Sequence, residues 1–115
     1  MKPQISIDEF NGLDLRVGEV QAVSEVPGSD TLVGMVVNFG HEIGIRAIYA
    51  GLRKWYPMAN LAGRKLAFVV NLAPKKFVVN GSEYISEGMI LAADNGEKAV
   101  LYTFDQDLPA GCVLR

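Results

Sequence analysis

One cysteine and one histidine stand in 115 residues. That scarcity removes whole classes of chemistry. Cys112 has no partner for an internal disulfide, which fits a reducing compartment. His41 and Cys112 together fall short of the donor set a zinc site needs. Cys112 has no base placed near it in the sequence, so it reads as a small buried hydrophobe and not as a nucleophile. A lone histidine in a turn reads as solvent-exposed. Neither a phosphate-binding GxxxxGK[ST] loop nor a dinucleotide GxGxxG fingerprint is present. No apolar run approaches the roughly 20 residues that cross a bilayer. The opening MKPQISIDEFNG is acidic early and lacks an apolar stretch, so it does not read as a signal peptide. These absences lead us to expect one domain over residues 1–115, cytoplasmic, with no membrane association, no cofactor, no metal and no catalysis.

Half of the residues are hydrophobic, enough for a true core, and glycines recur at short intervals. That texture is the one of a small all-β domain. Ile7 to Phe10 suits a short helical turn ended by Asn11-Gly12. Leu13 to Val26 reads as a strand, with Gly18 as its bulge. Pro27 to Asp30 turns the chain. Leu32 to Phe39 is apolar at nearly every position and reads as a strand buried on both faces. Gly40 to Glu42 is a turn. Ile43 to Ala50 is a third strand, with Arg46 on the face opposite Ile45 and Ala47. Gly51 to Gly63 suits short helical turns broken by Pro57, and Lys65 to Leu72 is a fourth strand. Gly88 to Ala93 and Lys98 to Phe104 flank Asp94-Asn95-Gly96-Glu97, a type I′ hairpin signal. Five main strands with a helical link between the third and fourth have the order of an OB-fold barrel, a five-stranded Greek-key design with short helical segments. Periodicity alone leaves an SH3-like barrel equally open.

Charge is unevenly spread. The net charge is −2. Between Ile43 and Ser82 there is no acid, but there are Arg46, Arg53, Lys54, Arg64, Lys65, Lys75 and Lys76, and both flanks are net acidic. Either the zones fold on one another and neutralise, or the middle one presents a local field that draws phosphates. Arg53-Lys54 beside Trp55-Tyr56, and Lys75-Lys76 beside Phe77, pair basic with aromatic groups, as single-strand-binding barrels do. The competing reading is structural, with Trp55 and Tyr56 plugging the barrel end.

Several short motifs then fall in a specific order. Asp14-Leu15-Arg16-Val17-Gly18 is followed by Gly28-Ser29-Asp30-Thr31-Leu32. Ala50-Gly51-Leu52, Tyr56-Pro57 and Leu61-Ala62-Gly63 come next. Asn71-Leu72-Ala73-Pro74-Lys75-Lys76 and Ser86-Glu87-Gly88-Met89-Ile90-Leu91-Ala92-Ala93 close the series. From about Phe10 onward the chain resembles the tRNA-binding domain family. That family includes stand-alone tRNA-binding proteins, the C-terminal domain of some methionyl-tRNA synthetases and the endothelial monocyte-activating polypeptide domain, with an export-related chaperone branch on the same fold. The resemblance implies an OB-fold and non-catalytic, structure-directed tRNA binding, as a homodimer or as an accessory to an aminoacyl-tRNA synthetase. The alternative it carries is a chaperone-like, protein-binding dimer. Its implied RNA-binding residues are Arg46, Asn71, Lys75, Lys76, Ser86 and Met89. Lysines would meet phosphates, Asn and Ser would meet sugars or base edges, and Met would offer a polarizable surface.

The sequence departs from the family pattern in three places. Thr31 stands where the family has a lysine. Val78-Val79-Asn80-Gly81 replaces a basic residue before a glycine. The segment between Lys76 and Ser86 is several residues longer. That segment could reshape the groove, form its own hairpin around Asn80-Gly81, or serve a protein interface.

Overall fold

The computed structural model describes every residue from Met1 to Arg115. The chain enters through one helical turn, α1 (Ile7–Phe10). Ser6 and Glu9 cap it reciprocally. The Glu9 N–H donates to Ser6 Oγ at 3.1 Å, and the Ser6 N–H donates to Glu9 Oε1 at 3.1 Å.

β1 (Leu15–Glu25) is the spine of the main sheet. It pairs antiparallel with β2 (Val33–Asn38) and with β4 (Lys65–Val69), and near its start with β10 (Val113–Leu114). β2 continues to β3 (Ile45–Ala50) after the one-turn helix α2 (Gly40–Ile43). β4 pairs with the short β7 (Met89–Ile90). The resulting order is β3-β2-β1-β4-β7. A 3-10 turn at Met58–Asn60 lies between β3 and β4, where the sequence calls for helical turns around Pro57.

The two ends of this sheet meet. Glu87 N–H donates to Ala47 O at 2.9 Å, and Tyr49 N–H donates to Ser86 Oγ at 2.9 Å. The sheet thereby curls into the nearly closed, all-β OB-like barrel that the strand order leads us to expect. Two further hairpins decorate it: β5 (Lys75–Val79) with β6 (Ser82–Ser86), and β8 (Ala92–Asp94) with β9 (Ala99–Leu101).

The interior is filled by inward residues of all the barrel strands, among them Val20, Val37, Ile48, Leu66 and Phe68, with Leu61 closing one side. Phe39 and Phe68 meet edge to face with centroids 5.1 Å apart.

Several expectations need correction. The β1 bulge is at Gln21, where pairing with β2 slips between Val20 and Ala22, and not at Gly18. Gly18 holds regular register opposite Leu66. Its role is steric: a Cβ there would lie 2.5 Å from Val37 Cγ1 and 2.7 Å from Phe39 Cε1. β2 is not buried throughout, since Val36 is exposed. Asn95-Gly96 is not a type I′ turn, because only Gly96 has a positive φ. That turn type belongs instead to Asn80-Gly81, with φ of 50° and 81°. Cys112 is half-buried and Trp55 is exposed. Tyr56 is the partner that packs, its hydroxyl donating to Ala99 O at 3.0 Å.

Candidate nucleic-acid interface

The longer segment after Lys76 is an ordered hairpin. Val78, Val79, Tyr84 and Ile85 favour extended backbone, and Asn80-Gly81 supplies the left-handed pair that a two-residue turn requires. One face turns toward the barrel. Phe77 lies opposite Tyr84, and the Tyr84 ring packs edge-on against Tyr49 of β3 with centroids 5.4 Å apart. The tip rests on the turn between β1 and β2, where Gly28 leaves no room for a Cβ beneath the Asn80 amide. The other face carries Lys76, Val78, Glu83 and Ile85 and is exposed.

Between this hairpin and the barrel runs an open groove of about 590 Å³. Tyr49, Leu52, Leu72, Phe77 and Met89 form much of its wall. Lys75 is the one charged residue lining it, and none of the lining is acidic. The Lys75 ammonium stands 4.8 Å from the Phe77 ring centroid, a cation–π contact that holds the charge over the groove's lip. Lys75 makes no ion pair, and Met89 is about half exposed.

The six residues implied by the resemblance therefore fall into three settings. Lys75, Ser86 and Met89 line the groove. Arg46 and Asn71 line an adjoining recess of about 400 Å³, and both cavities share Leu72 and Ala73. Lys76 points from the outer face of the hairpin, 3.2 Å from Glu83.

Besides Lys76 with Glu83, three of the six are bonded within the protein, and these three hold the fold together. Ser86 is 3% exposed, and its hydroxyl accepts from Tyr49 N–H and donates to Gly88 O at 2.9 Å. Next to it, Glu87 Oε1 accepts from Ala47 N–H at 3.2 Å. A Cβ on Gly88 would meet Ile48 Cδ1 at 2.8 Å. Ser86-Glu87-Gly88 thus closes the barrel. Asn71 is a clasp: its Oδ1 accepts from Asp14 N–H at 2.7 Å and its Nδ2 donates to Gly12 O at 2.7 Å. Arg46 shares the strand face of the buried Ile48, and its Nη1 donates to Val70 O at 2.6 Å and to Glu87 O at 3.2 Å. A guanidinium has further donors to offer outward.

The basic zone is only partly neutralised. Arg53 pairs with Glu25, Lys65 with Asp107 and Lys76 with Glu83. Arg46, Lys54, Arg64 and Lys75 have no acidic partner. Outside this zone, Asp14 and Glu42 hold Arg16 well above its ordinary pKa by side-chain hydrogen bonds, so it stays cationic. No three His, Cys, Asp or Glu side chains converge as a metal site would need. No helix is long and apolar enough to cross a membrane. The groove's wall was partly legible: Phe77 and Met89 stand out in the sequence and Leu52 and Leu72 fall inside its short motifs, whereas Tyr49 carries no signal apart from its place in a strand.

This architecture matches known proteins. Residues 15–112 match the family model described as "Putative tRNA binding domain". The chain belongs to that family. Over 114 residues this tRNA-binding domain is 44% identical to a methionine–tRNA ligase of Methanothrix thermoacetophila; the match covers 99% of the chain and 16% of the ligase. A methionine–tRNA ligase of Pyrococcus furiosus is 40% identical over 96% of the chain and 14% of its own length. The chain thus spans about one-sixth of the ligases it matches. Among solved structures, a MetRS-related protein from Pyrococcus horikoshii superposes with TM-score 0.86 at 32% identity, covering 99% of the chain and all of that protein. The chaperone CsaA of Bacillus anthracis superposes with TM-score 0.83 at 29% identity, covering 98% of the chain and all of that protein.

Proposed function

We propose that this tRNA-binding domain binds tRNA by overall structure, without catalysis, as a homodimer or as an accessory to an aminoacyl-tRNA synthetase. The observation that carries the reading is family membership over residues 15–112 together with an unpaired lysine on the lip of an open groove. In this reading Lys75 and Lys76 meet phosphates and Met89 offers contact surface. Arg46, Asn71 and Ser86 build and orient that surface, with the outward donors of Arg46 available to a phosphate. Self-association is supported by exposed apolar side chains near the two chain ends: Ile5, Ile7, Phe10, Leu13 and Val113. Phe10, Leu13 and Val113 share one recess. Light scattering on the purified chain reads the oligomeric state directly.

Electrophoretic mobility shift with bulk tRNA, single-stranded RNA and duplex RNA at two salt concentrations tests the function. The expected result is preference for tRNA and weaker binding at the higher salt. Equal binding to all three contradicts it.

The same groove favours a second reading, a chaperone-like dimer that holds apolar protein segments, in keeping with the CsaA likeness. Absorbance at 260 and 280 nm separates the two. Co-purifying RNA that high salt removes supports the first. RNA-free protein that suppresses aggregation of an unfolded client supports the second.

A further inference from the structure

The groove joins two properties that ordinary phosphate contacts do not need. Its walls are aromatic and aliphatic: the Phe77 and Tyr49 rings, Leu52, Leu72 and Met89. Its one charge is the Lys75 ammonium at the lip, and no carboxylate lines it. Its one polar side chain apart from Lys75 and the Tyr49 hydroxyl is Ser86, whose hydroxyl is already bonded on both sides. Its volume of about 590 Å³ lies within the roughly 300–1,000 Å³ of small-ligand sites. The occupant that fits is flat, largely apolar on its faces and attached to one negative charge.

We propose that the groove takes an unpaired base of the bound RNA, lying against Phe77 and Met89, with that nucleotide's phosphate on Lys75 Nζ. The inference rests on the tRNA-binding reading and deepens it by naming a subsite. A duplex cannot enter the groove, whereas a base from a loop or a single-stranded end can be splayed into it. The phosphate would replace Phe77 as the neighbour of the ammonium, leaving the ring's surface to the base. Apart from Lys75 and the Tyr49 hydroxyl the wall carries no free polar side chain, so the subsite holds a base by its π-face, which every base offers, and not by a set of donors and acceptors matched to one base edge. This gives a physical origin for recognition that depends on structure and not on sequence: the site requires an unstacked nucleotide and tolerates any base.

Methyl-resolved NMR of the full chain, titrated with AMP and with adenosine, tests the subsite without any variant. AMP should shift the methyl signals of Leu52, Leu72 and Met89, and adenosine should do so at several-fold higher concentration. In Lys75→Ala the two ligands should become equivalent. Phe77→Ala should weaken binding of bulk tRNA about 5- to 140-fold, the usual range for loss of one base–aromatic stack. AMP and adenosine acting alike on the wild type, or AMP leaving those methyls unmoved while tRNA still binds, overturns the subsite and leaves the tRNA reading intact. Shifts produced by a phenylalanine-containing acidic peptide and not by AMP assign the groove to a protein segment and also overturn it. If the wild type binds no tRNA at either salt, the tRNA reading fails, and the subsite falls with it.

Discussion

Replacing Ser86 by alanine should unfold the protein more easily, although the motif it belongs to looks like a surface contact. The hydroxyl is buried and serves two backbone groups at once. It accepts from Tyr49 N–H at 2.9 Å and donates to Gly88 O at 2.9 Å. Alanine leaves the Tyr49 donor without a partner at the seam where β3 meets the segment before β7. An unsatisfied buried donor costs about 1–3 kcal/mol, and the loss of a partner for Gly88 O adds to it. We therefore expect a loss of about 2 kcal/mol, which for a domain of this size is a drop in Tm of roughly 6–10 °C. Thermal unfolding followed by circular dichroism gives the number. Hydrogen exchange at the Tyr49 amide gives the location, since that amide should change from protected to fast-exchanging. An exposed serine mutated to alanine would change stability by no more than about 0.5 kcal/mol. A Tm within about 2 °C of the wild type, with Tyr49 still protected, would refute the closure argument and return Ser86 to the surface.

Other expectations follow from the same packing. Asn71→Ala removes two hydrogen bonds that tie Gly12 and Asp14 to the end of β4; a loss of about 1–2 kcal/mol is expected, with faster exchange at the Asp14 amide. Gly18→Ala places a methyl within 2.5–2.8 Å of Val37, Phe39 and Phe68 and should cost about 1–3 kcal/mol in urea unfolding. The hydrogen bond from Lys65 holds the Asp107 carboxyl below its ordinary pKa and Lys65 above its own. The Asp107 contribution to stability is present above its unfolded pKa and is lost as pH falls through the lowered folded value. The Lys65 contribution is present below its unfolded pKa and is lost as pH rises through the raised folded value. Lys65→Met should therefore return Asp107 to the ordinary carboxylate range in a carbon-detected NMR titration; an unmoved Asp107 would show that the pair does not persist in solution.

The barrel was largely legible because its strands announce themselves locally. Leu66 to Val70 and Val33 to Val37 carry apolar runs bounded by turn residues, and the buried set follows them. The Asn80-Gly81 hairpin was legible as one of three options for the longer segment, since an Asn-Gly pair between β-branched runs has few other conformations. What escaped was set by partners distant in sequence. The acceptor that Tyr49 needs comes from Ser86, 37 residues away, and the amide that Asp14 uses comes from Asn71, 57 residues away. Nothing near Ser86 or Asn71 signals those bonds, so a contact to RNA and a bond within the protein look alike in sequence. Arg46 illustrates the same limit. Alternation put it on the correct strand face, but only the fold shows Val70 O and Glu87 O waiting there. The Gln21 bulge escaped for a different reason. Gly18 looks like a bulge residue, and only the Phe39 and Phe68 rings pressing on it show why it must be glycine.

In the proposed function, Lys75 and Lys76 grip the phosphates of tRNA. The most direct measurement is a filter-binding titration of bulk tRNA across salt concentrations, comparing the wild type with Lys75→Ala, Lys76→Ala. Each phosphate contact contributes about 0.7–0.9 to the slope of log affinity against log salt. The wild type's affinity should fall with salt, and the double variant's slope should be shallower by about 1.4–1.8. Because Lys76 also pairs with Glu83 and Lys75 does not, Lys75→Ala alone should supply at least half of that change. An unchanged slope in the double variant would contradict the claim.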